Sequence, residues 1–382
     1  MPAAKDARSA NQRELMNGLL LVNVGTPDEP TPAAVRRYLR EFLGDGRVID
    51  IHPIARSLLL NLIILPLRPR RSAAAYQKIW TPQGSPLLVH SRALAEAISA
   101  RLGTGWVVRL GMRYGNPSLA TALTELLAQG CQRLVVLPLY PQQASSTTGA
   151  AIEGVFDGLR ARQSHPSLSI VSPFYDDPGF LAAWARHGQP IIESERPDHV
   201  LFSFHGLPER QIRKADDERC QDQPGATPHC LTRSTCCDDI GGQNAACYRA
   251  QSFATARLLA ERLGIPVERY SVCFQSRLGR TPWIRPYTDH VLSSLLAAGK
   301  RRIVVFCPAF VADCLETLEE IGLRAREDFL AQGGESMTVV PAPNADPAWA
   351  DALVALIRRQ IPSPAASEPA DAGPIKSTGT RT

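Results

Sequence analysis

Eight short apolar runs, separated by stretches with helical spacing, constrain the fold of this chain more than any other feature of its sequence. The runs span residues 19–24, 107–112, 134–139, 168–171, 200–204, 270–274, 303–306 and 337–340. Between them, apolar positions recur with helical spacing, as in residues 93–102, 119–127, 253–263 and 314–330. Strands that alternate with helices form parallel sheets, so the pattern predicts an α/β fold.

The length of the chain predicts two lobes, because 382 residues are too many for one ordinary core. Four runs fall in each half, so each lobe is expected to be a doubly wound parallel sheet. The boundary is expected near residues 190–198, where the sequence becomes polar and irregular. The predicted units are residues 1–16 (disordered), 17–192 (first lobe), 193–362 (second lobe, with an insertion at about 218–248) and 363–382 (disordered).

Charge and sequence composition argue against a nucleic-acid-binding protein and against a secreted protein. Lys and Arg outnumber Asp and Glu only by 42 to 37, and no basic stripe carries interleaved aromatic residues, so no nucleic-acid partner is expected. The polar N-terminus has no apolar core of a signal peptide, which predicts a cytoplasmic protein.

Residues 54–67 form the most apolar stretch of the chain. They fall short of the roughly 20 residues needed to cross a bilayer, and Pro66 and the arginines that follow are expected to close the stretch. The segment can therefore lie on a membrane but cannot cross one. The alternative is an ordinary buried helix.

His205 ends the fifth run, immediately before Gly206, and open parallel sheets bind their ligands at the carboxyl ends of the strands. A side chain that titrates near pH 6.5 can accept protons at working pH, so His205 is a candidate general base. The alternative is a histidine that only makes a structural hydrogen bond.

Glu316 and Glu320, two of the glutamates that follow the seventh run, are candidates for the site. Asp313 and Glu316 have the spacing of a helix-capping box, which explains one glutamate without any function. Glu320 lies one turn further on the same face, where two carboxylates repel each other mildly and favour a cation or a proton between them. The alternative is a solvated acidic face.

Five of the nine cysteines lie within 28 residues, at positions 220, 230, 236, 237 and 247. In a reducing compartment they are better interpreted as thiols or metal ligands than as disulfides. The adjacent pair Cys236 and Cys237 suits the paired spacing of zinc sites poorly, which favours an iron–sulfur cluster; zinc and reduced thiols are the alternatives. Cys131, Cys273 and Cys307 are predicted to be buried core thiols.

Seven motifs of this chain, in the same order, resemble those of the ferrochelatase family and together extend over about residues 17–360. They read LLLVNVGTPDEPT (19–31), YQKIWTPQGSPLL (76–88), RYGNPS (113–118), LPLYPQQASSTTGA (137–150), SFHGLP (203–208), SRLGRTPWIRPYTD (276–289) and FVADCLETLEEIG (310–322). The resemblance implies two Rossmann-like lobes, as in other chelatases, with a porphyrin cleft between them.

The resemblance also implies the reaction: insertion of ferrous iron, as a substrate, into protoporphyrin IX, the last step of haem synthesis. Coproporphyrin or another tetrapyrrole is the alternative substrate, and a non-catalytic tetrapyrrole-binding or small-ligand-binding protein is the alternative of another class. Residues 54–67 are expected to form the lip of the pocket, and residues 54–71 are expected to contact the inner face of the membrane peripherally. The oligomeric state is left open.

Site residues follow from the motifs. The resemblance implies His205, Glu316 and Glu320 as catalytic residues, with His205 and Glu316 also contacting the substrate iron. The expected substrate-binding residues are Val24, Tyr76, Ser85, Arg113, Tyr114 and Phe310. The chain departs from the family at Gln143 and Ala144, where Tyr and Ser are usual, at Val24, where Met or Leu is common, and at Cys314, which replaces a His of some members.

The cysteine-rich stretch resembles a bacterial branch of the family that binds a [2Fe-2S] cluster at an internal site. HCLTRSTCC is followed by CYRAQS, where relatives often read CYRAQC and this chain has Ser252. The expected ligands are Cys230, Cys236, Cys237 and Cys247, with Cys220 in reserve.

Overall fold

The structure, a computed structural model, describes residues 16–279 and 281–361. The two segments predicted to be disordered lie outside the described residues, apart from Met16. Everything below concerns the described part of the chain.

All eight predicted strands are present, and they form two four-stranded parallel sheets, which confirms the α/β class. The strands are β1 (Asn17–Thr26), β2 (Trp106–Gly115), β3 (Arg133–Pro138), β4 (Ser167–Ile170), β5 (His199–His205), β6 (Tyr270–Gln275), β7 (Arg302–Phe306) and β8 (Ser336–Val339). Their orders are β2-β1-β3-β4 and β6-β5-β7-β8, so the second sheet repeats the topology of the first.

Helices connect the strands and cover the sheets. They are α1 (Pro32–Gly44), α2 (Pro53–Leu58), α3 (Leu65–Ile79), α4 (Pro86–Leu102), α5 (Leu119–Ala128), α6 (Ala150–Leu159), α7 (Pro178–Glu195), α8 (Glu209–Asp222), α9 (Tyr248–Arg262), α10 (Thr288–Ala297), α11 (Arg326–Ala331) and α12 (Pro347–Arg358). Three segments are π-helical, namely Leu59–Ile64, Ser145–Gly149 and Glu316–Ala325, and Val267–Arg269 is a short 3₁₀ turn.

The four interior strands, β1 and β5 among them, carry the most deeply buried side chains because helices cover both faces of each sheet. Leu19, Leu20 and Leu21 of β1 are fully buried, as are Phe202 and Phe204 of β5. Continuous apolar runs are therefore required in both strands, which explains why the sequence pattern identified them.

The last helix of each lobe begins in the same way. Asp177 caps α7 and Asp346 caps α12, each by accepting hydrogen bonds from the two backbone amides beyond the proline that follows it. The helix α12 returns to the first lobe, where Asp351 pairs with Arg101 of α4 at 2.5 Å. The helix α12 thus connects the end of the second lobe to α4 of the first lobe.

Two prolines lie within helical segments. The helix α7 continues through Pro190 to Glu195, and the chain turns at Arg196, whose φ of 45° is left-handed. This turn falls within residues 190–198, where the lobe boundary is expected. Pro66 lies in a helical segment that runs from α2 through the π-helix Leu59–Ile64 into α3, so the backbone stays helical there, while the apolar stretch ends at Leu67.

The order of the strands determines where a ligand can bind. In a doubly wound sheet, a crevice opens at the carboxyl ends of the two strands where the direction of winding reverses. Those strands are β1 and β3 in the first sheet and β5 and β7 in the second.

Candidate functional site

A cavity lies where the crevices of the two sheets meet. It encloses about 1210 Å³ of atom-free space, its open mouth included. Its wall contains residues from all four strand ends, among them Val24 near the end of β1, Tyr140 after β3, His205 at the end of β5 and Phe310 after β7. The predicted site between the lobes therefore exists as a single cavity.

His205 is the last residue of β5 and is half-buried in this wall. Its Nδ1 lies 2.6 Å from the carbonyl oxygen of Gly206. A carbonyl oxygen can only accept, so Nδ1 carries the proton of the neutral ring and Nε2 keeps a free lone pair. The edge of Phe310 packs against the ring, with 6.3 Å between the ring centroids. This histidine is therefore held in the tautomer that a proton acceptor at Nε2 requires.

The acidic residues after β7 lie on a π-helix, not on the capped α-helix that the sequence predicts. The carboxylate of Asp313 accepts hydrogen bonds from Thr317 and Asn344 side chains and from the backbone amide of Ala342. Its own backbone amide donates to Asn344 instead of to Glu316. The capping box is wrong because residues about 30 positions away in the chain satisfy Asp313. Helices of this type are frequent at functional sites.

Glu316 and Glu320 face two different cavities. Glu316 lies in the wall of the cavity that contains His205, next to Cys314. Glu320 lies in a neighbouring cavity of about 880 Å³, together with Ser276, Arg277 and Arg324. The expectation that both carboxylates reach the same cleft as His205 is met by Glu316 only.

Ser276 determines the position of the Glu320 carboxylate. Its backbone amide and its hydroxyl both donate to that carboxylate, at 2.9 and 2.5 Å. Ser276 has a left-handed φ of 66°, which costs conformational energy in a residue with a Cβ. Burial raises the pKa of Glu320, and the charge of Glu316 raises it further, whereas the Ser276 hydroxyl and His205 lower it. Glu320 is thus electrostatically coupled to the residues of the first cavity.

A chain of hydroxyl groups forms the wall of the first lobe. The Thr26 hydroxyl donates to that of Ser85 at 2.8 Å, and Tyr76 is bonded to Thr26. Burial raises the pKa of Tyr76, so its hydroxyl remains protonated. Gly25 precedes Thr26, and a Cβ there would lie 1.8 Å from the carbonyl oxygen of Tyr114, so only glycine fits. Of the predicted binding residues, Val24, Tyr76, Ser85 and Phe310 all lie in the wall.

Arg113 and Tyr114 do not lie in the wall. Both bind the carboxylate of Asp45, the guanidinium of Arg113 at 2.7 Å and the hydroxyl of Tyr114 at 2.8 Å. Phe42, which does line the cavity, packs at a tilt of 53° against Tyr114, with 5.2 Å between the ring centroids. These two residues therefore support the wall from behind. Asp45 itself was not predicted; its only indication in the sequence is the Gly-Asp-Gly turn around it.

Most of the other residues of the wall were not predicted as site residues from the sequence, among them Gln211, Tyr248 and Trp283. Trp283 belongs to a matched motif, and Tyr248 directly follows the last cysteine of the cluster. Gln142 lines the cavity and donates to Thr255 of α9 at 3.0 Å, which ties the loop after β3 to the second lobe.

The apolar segment of residues 54–67 is exposed on one face. The exposed fractions are 66% for Ile54, 54% for Leu58, 69% for Leu62, 53% for Ile63 and 71% for Leu67. The alternative of an ordinary buried helix is therefore wrong for this face. None of residues 54–71 lines the cavity, which α3 reaches only with Tyr76. Within the described ranges, no helix has both the length and the apolar character needed to cross a membrane.

Four of the five clustered cysteines converge. Cys230, Cys236, Cys237 and Cys247 are all buried, and the Cys247 thiol interacts with those of Cys230 and Cys237. The sulfur atoms of Cys236 and Cys237 are 3.7 Å apart. Hydrogen bonding with Cys230 is the largest effect that raises the pKa of the Cys247 thiol, to about 12.

Cys220 is half-buried on α8 and interacts instead with the guanidinium of Arg219 at 3.4 Å. Across residues 16–279 and 281–361, no three His, Cys, Asp or Glu side chains are arranged to hold a single metal ion. Cys131, Cys273 and Cys307 are buried core thiols, as predicted.

Comparisons with known proteins cover almost the whole described chain. The family model described as Ferrochelatase matches residues 16–361. The chain is 45% identical over 344 residues to a ferrochelatase of Coxiella burnetii (strain CbuG_Q212), covering 90% of this chain and 94% of the relative. It is 46% identical over 347 residues to a ferrochelatase of Legionella pneumophila (strain Corby), covering 91% and 100%.

Solved structures show the same architecture at low sequence identity. SirB from Bacillus subtilis with Fe3+ superposes with a TM-score of 0.52 at 14% identity, covering 90% of this chain and 95% of SirB. The sirohydrochlorin chelatase SirB from B. subtilis subspecies spizizenii, in complex with cobalt, gives 0.50 at 12% identity and the same coverage. These likenesses concern the fold alone.

Proposed function

The chain belongs to the ferrochelatase family, and from this premise we propose that His205 and Glu316 carry out its reaction on a porphyrin held in the cavity between the two lobes. The protein is a metal chelatase of haem synthesis, with ferrous iron and a porphyrin as substrates. The observation that carries the proposal is that His205, at the end of β5, and Glu316, on the π-helix after β7, line one cavity, while Nδ1 of His205 is bonded to the Gly206 carbonyl.

The reaction exchanges two pyrrole protons for one divalent ion. Each N–H bond that breaks leaves its electron pair on the pyrrole nitrogen, which then binds iron, so two protons must leave for every ion that enters. The free lone pair at Nε2 of His205 accepts a proton from the ring, and the Glu316 carboxylate accepts the second. Imidazole and carboxylate are also suitable ligands for ferrous iron, so both can contact the incoming ion.

Glu320 is proposed to pass protons from the cavity to solvent. It lies about one turn after Glu316 on the π-helix. Burial and the charge of Glu316 raise its pKa, whereas His205 lowers it. Its carboxylate faces the second cavity, so protons that reach it leave away from the porphyrin.

The wall of the cavity favours protoporphyrin over coproporphyrin. Within the described residues, no Lys or Arg lines the cavity, and its charged side chain is the acidic Glu316. Protoporphyrin carries two propionate groups and two vinyl groups, whereas coproporphyrin carries four propionates. A largely apolar wall accommodates the vinyl groups better than two additional buried carboxylates.

An anaerobic assay with ferrous iron and each porphyrin tests the function and its substrate. We expect protoporphyrin to be metalated, with the change in its Soret absorption band as the readout, and coproporphyrin to be used with a lower kcat/KM. Preferential use of coproporphyrin would contradict the substrate assignment. A failure to metalate either porphyrin would contradict the proposed function itself.

We further propose that Cys230, Cys236, Cys237 and Cys247 hold a [2Fe-2S] cluster. Clusters of this type take four cysteine thiolates, and these four thiols are buried and linked pair by pair, Cys230 to Cys247, Cys247 to Cys237 and Cys237 to Cys236. Two thiolates on one tetrahedral metal at about 2.3 Å lie about 3.8 Å apart, close to the 3.7 Å between Cys236 and Cys237. When bound, the cluster supplies one-electron chemistry and a cross-link between the residues that hold it.

Substitution of one proposed ligand is expected to remove the cluster. Anaerobically purified wild type should contain iron and acid-labile sulfide in equal amounts and absorb visible light, and Cys237→Ser should lose both properties because three thiolates hold the cluster poorly. Cys220→Ser is the matched control, since its thiol lies outside the converging group, and it should keep them. Zinc in place of iron and sulfide, or loss of the cluster in Cys220→Ser alone, would contradict the assignment.

We also propose that the exposed face of residues 54–67 binds the membrane surface, where a poorly soluble porphyrin partitions. Five large apolar side chains there are more than half exposed, and Arg68, Arg70 and Arg71 follow them. Apolar side chains enter the lipid while the arginines attract anionic headgroups.

Co-sedimentation with anionic vesicles measures this contact. The double substitution Leu62→Asp and Leu67→Asp is expected to lower the vesicle partition coefficient by about tenfold or more, because each leucine loses its transfer to lipid. Val267→Asp, at a side chain that is 74% exposed in another part of the chain, is the control and should bind as wild type does. Equal binding by all three proteins would refute the membrane contact.

A further inference from the structure

Tyr248 is a buried residue of the cavity wall that the reaction described above does not use. It is the first residue of α9, and it is 7% exposed. Its hydroxyl donates to the backbone carbonyl of His205 at 2.8 Å. The hydrogen bond is thus made to the backbone of the proposed base, His205, and not to its imidazole ring.

The peptide unit between His205 and Gly206 is held at both ends. The amide of Gly206 donates to the carbonyl of Gln275 on β6 at 2.8 Å. In a trans peptide the N–H and C=O of one unit point in opposite directions, so the His205 carbonyl points away from β6. On that side, pairing with β7 has already ended at Phe202. The Tyr248 hydroxyl therefore supplies the donor that a neighbouring strand no longer provides.

The orientation of this peptide unit determines the tautomer of the His205 ring. The ring is held by the carbonyl of Gly206, the next residue, at 2.6 Å from Nδ1. That carbonyl belongs to the next peptide unit, which shares the Cα of Gly206 with the first. A rotation of the His205–Gly206 unit that is passed on through Gly206 would move the Gly206 carbonyl and release Nδ1 from its acceptor. Gly206 is packed closely against β6, since a Cβ at this position would lie 2.8 Å from the Gln275 carbonyl oxygen. This close packing restricts movement of the peptide unit.

Tyr248 is itself held in place by the first turn of α9. The side chain of Gln251, one turn further, accepts a hydrogen bond from the backbone amide of Gln143 in the first lobe at 2.6 Å. It also donates one to the backbone carbonyl of Ala245 at 2.7 Å. Gln251 is 2% exposed, so these bonds are shielded from water. The residue before Tyr248 is Cys247, one of the four converging thiols. The start of α9 thus joins the first lobe, the cysteine-rich segment and the end of β5.

We infer that Tyr248 is a positioning residue for the reaction: its hydroxyl, by holding the His205 carbonyl, keeps the imidazole in the Nδ1–H tautomer with Nε2 free toward the porphyrin. The inference rests on the proposed role of His205. It predicts that removal of one oxygen atom, at a residue that transfers no proton, changes the tautomer of another residue.

The test uses Tyr248→Phe in the full-length protein, with two readouts. The first is kcat for iron insertion, which is expected to fall by about tenfold. A catalytic group displaced by 1 Å can cost about 10²-fold in rate, so a tenfold loss corresponds to a smaller disturbance of the imidazole. The KM for porphyrin should stay near the wild-type value, because the aromatic ring remains in the wall. The second readout is the ¹⁵N chemical shifts of the labelled histidine, assigned by their loss in His205→Ala. Wild type should show the Nδ1–H tautomer, and Tyr248→Phe should shift the population toward Nε2–H.

The matched control is Tyr270→Phe, at a tyrosine of the same lobe that lies outside the cavity wall; both readouts should be those of wild type. A fall in kcat without a change of tautomer, a change of tautomer without a fall in kcat, or no change in either would overturn the inference. Should Tyr248→Phe fail to fold, the wild-type spectrum decides: an Nε2–H tautomer at His205 would refute it. Activity in His205→Ala would instead refute the proposed function.

Discussion

His205→Ala is expected to lower kcat for iron insertion by a factor of about 10² to 10⁴, the usual contribution of a positioned general base. Alanine removes the lone pair at Nε2 that faces the cavity and leaves water to accept the pyrrole proton. The fold should persist, because within residues 16–279 and 281–361 the ring makes a single hydrogen bond, to the Gly206 carbonyl at the edge of the cavity. The measurement is the rate of Soret change under anaerobic conditions, with a thermal melt to check folding.

His199→Ala is the matched control for this substitution. His199 lies at the opposite end of the same strand, is buried, and bonds to the Ser271 hydroxyl at 2.8 Å. Its loss can lower the melting temperature but should leave kcat close to the wild-type value. Comparable losses of kcat in the two variants would mean that His205 acts through the stability of β5 and not as a base.

Glu316→Gln is expected to lower kcat by a factor of about 10² or more, because the amide can neither accept a proton nor neutralise the incoming ion. The amide has nearly the volume of the carboxyl, so the π-helix should be preserved. Porphyrin binding, measured by fluorescence quenching, should change little. The defect is therefore expected in kcat and in the apparent affinity for iron.

Glu319→Gln provides the control on the same π-helix. The Glu319 carboxylate is buried away from the cavity and pairs with Lys78 at 3.5 Å and with Arg324 at 3.6 Å. Its substitution weakens these ion pairs and can cost stability, but kcat should stay near that of wild type. If Glu319→Gln were as slow as Glu316→Gln, the general negative charge of the helix would matter, not a specific acceptor in the cavity.

The predicted strands agree with the structure because their cause is local. A central strand of a parallel sheet is buried on both faces, so it must be a continuous apolar run, as at Leu19, Leu20 and Leu21. The position of His205 follows from the same pattern, since the end of such a run is the end of the strand. The helical backbone at Pro66 and Pro190 could not be predicted in this way, because packing along the whole helix decides whether a proline is tolerated.

Partners far apart in the chain explain the remaining differences at the site. Asp313 matches a capping box, yet Asn344 and Ala342 satisfy it. Arg113 and Tyr114 match substrate-binding positions, yet they bind Asp45, almost 70 residues earlier in the chain. A motif specifies residue types and their local spacing, whereas hydrogen bonds form with whichever groups the fold brings close.

The sequence by itself determined the class of the fold, its eight strands, the family, and the identity of the histidine and glutamates available for chemistry. Each of these depends on residue type and on spacing along one stretch of chain. Only the tertiary structure decided that Glu316 and Glu320 face separate cavities, that four of five cysteines converge, and that Tyr248 holds the backbone of His205. The physical reason is that direction and contact depend on the packing of segments distant in sequence, and no local pattern records which segments become neighbours.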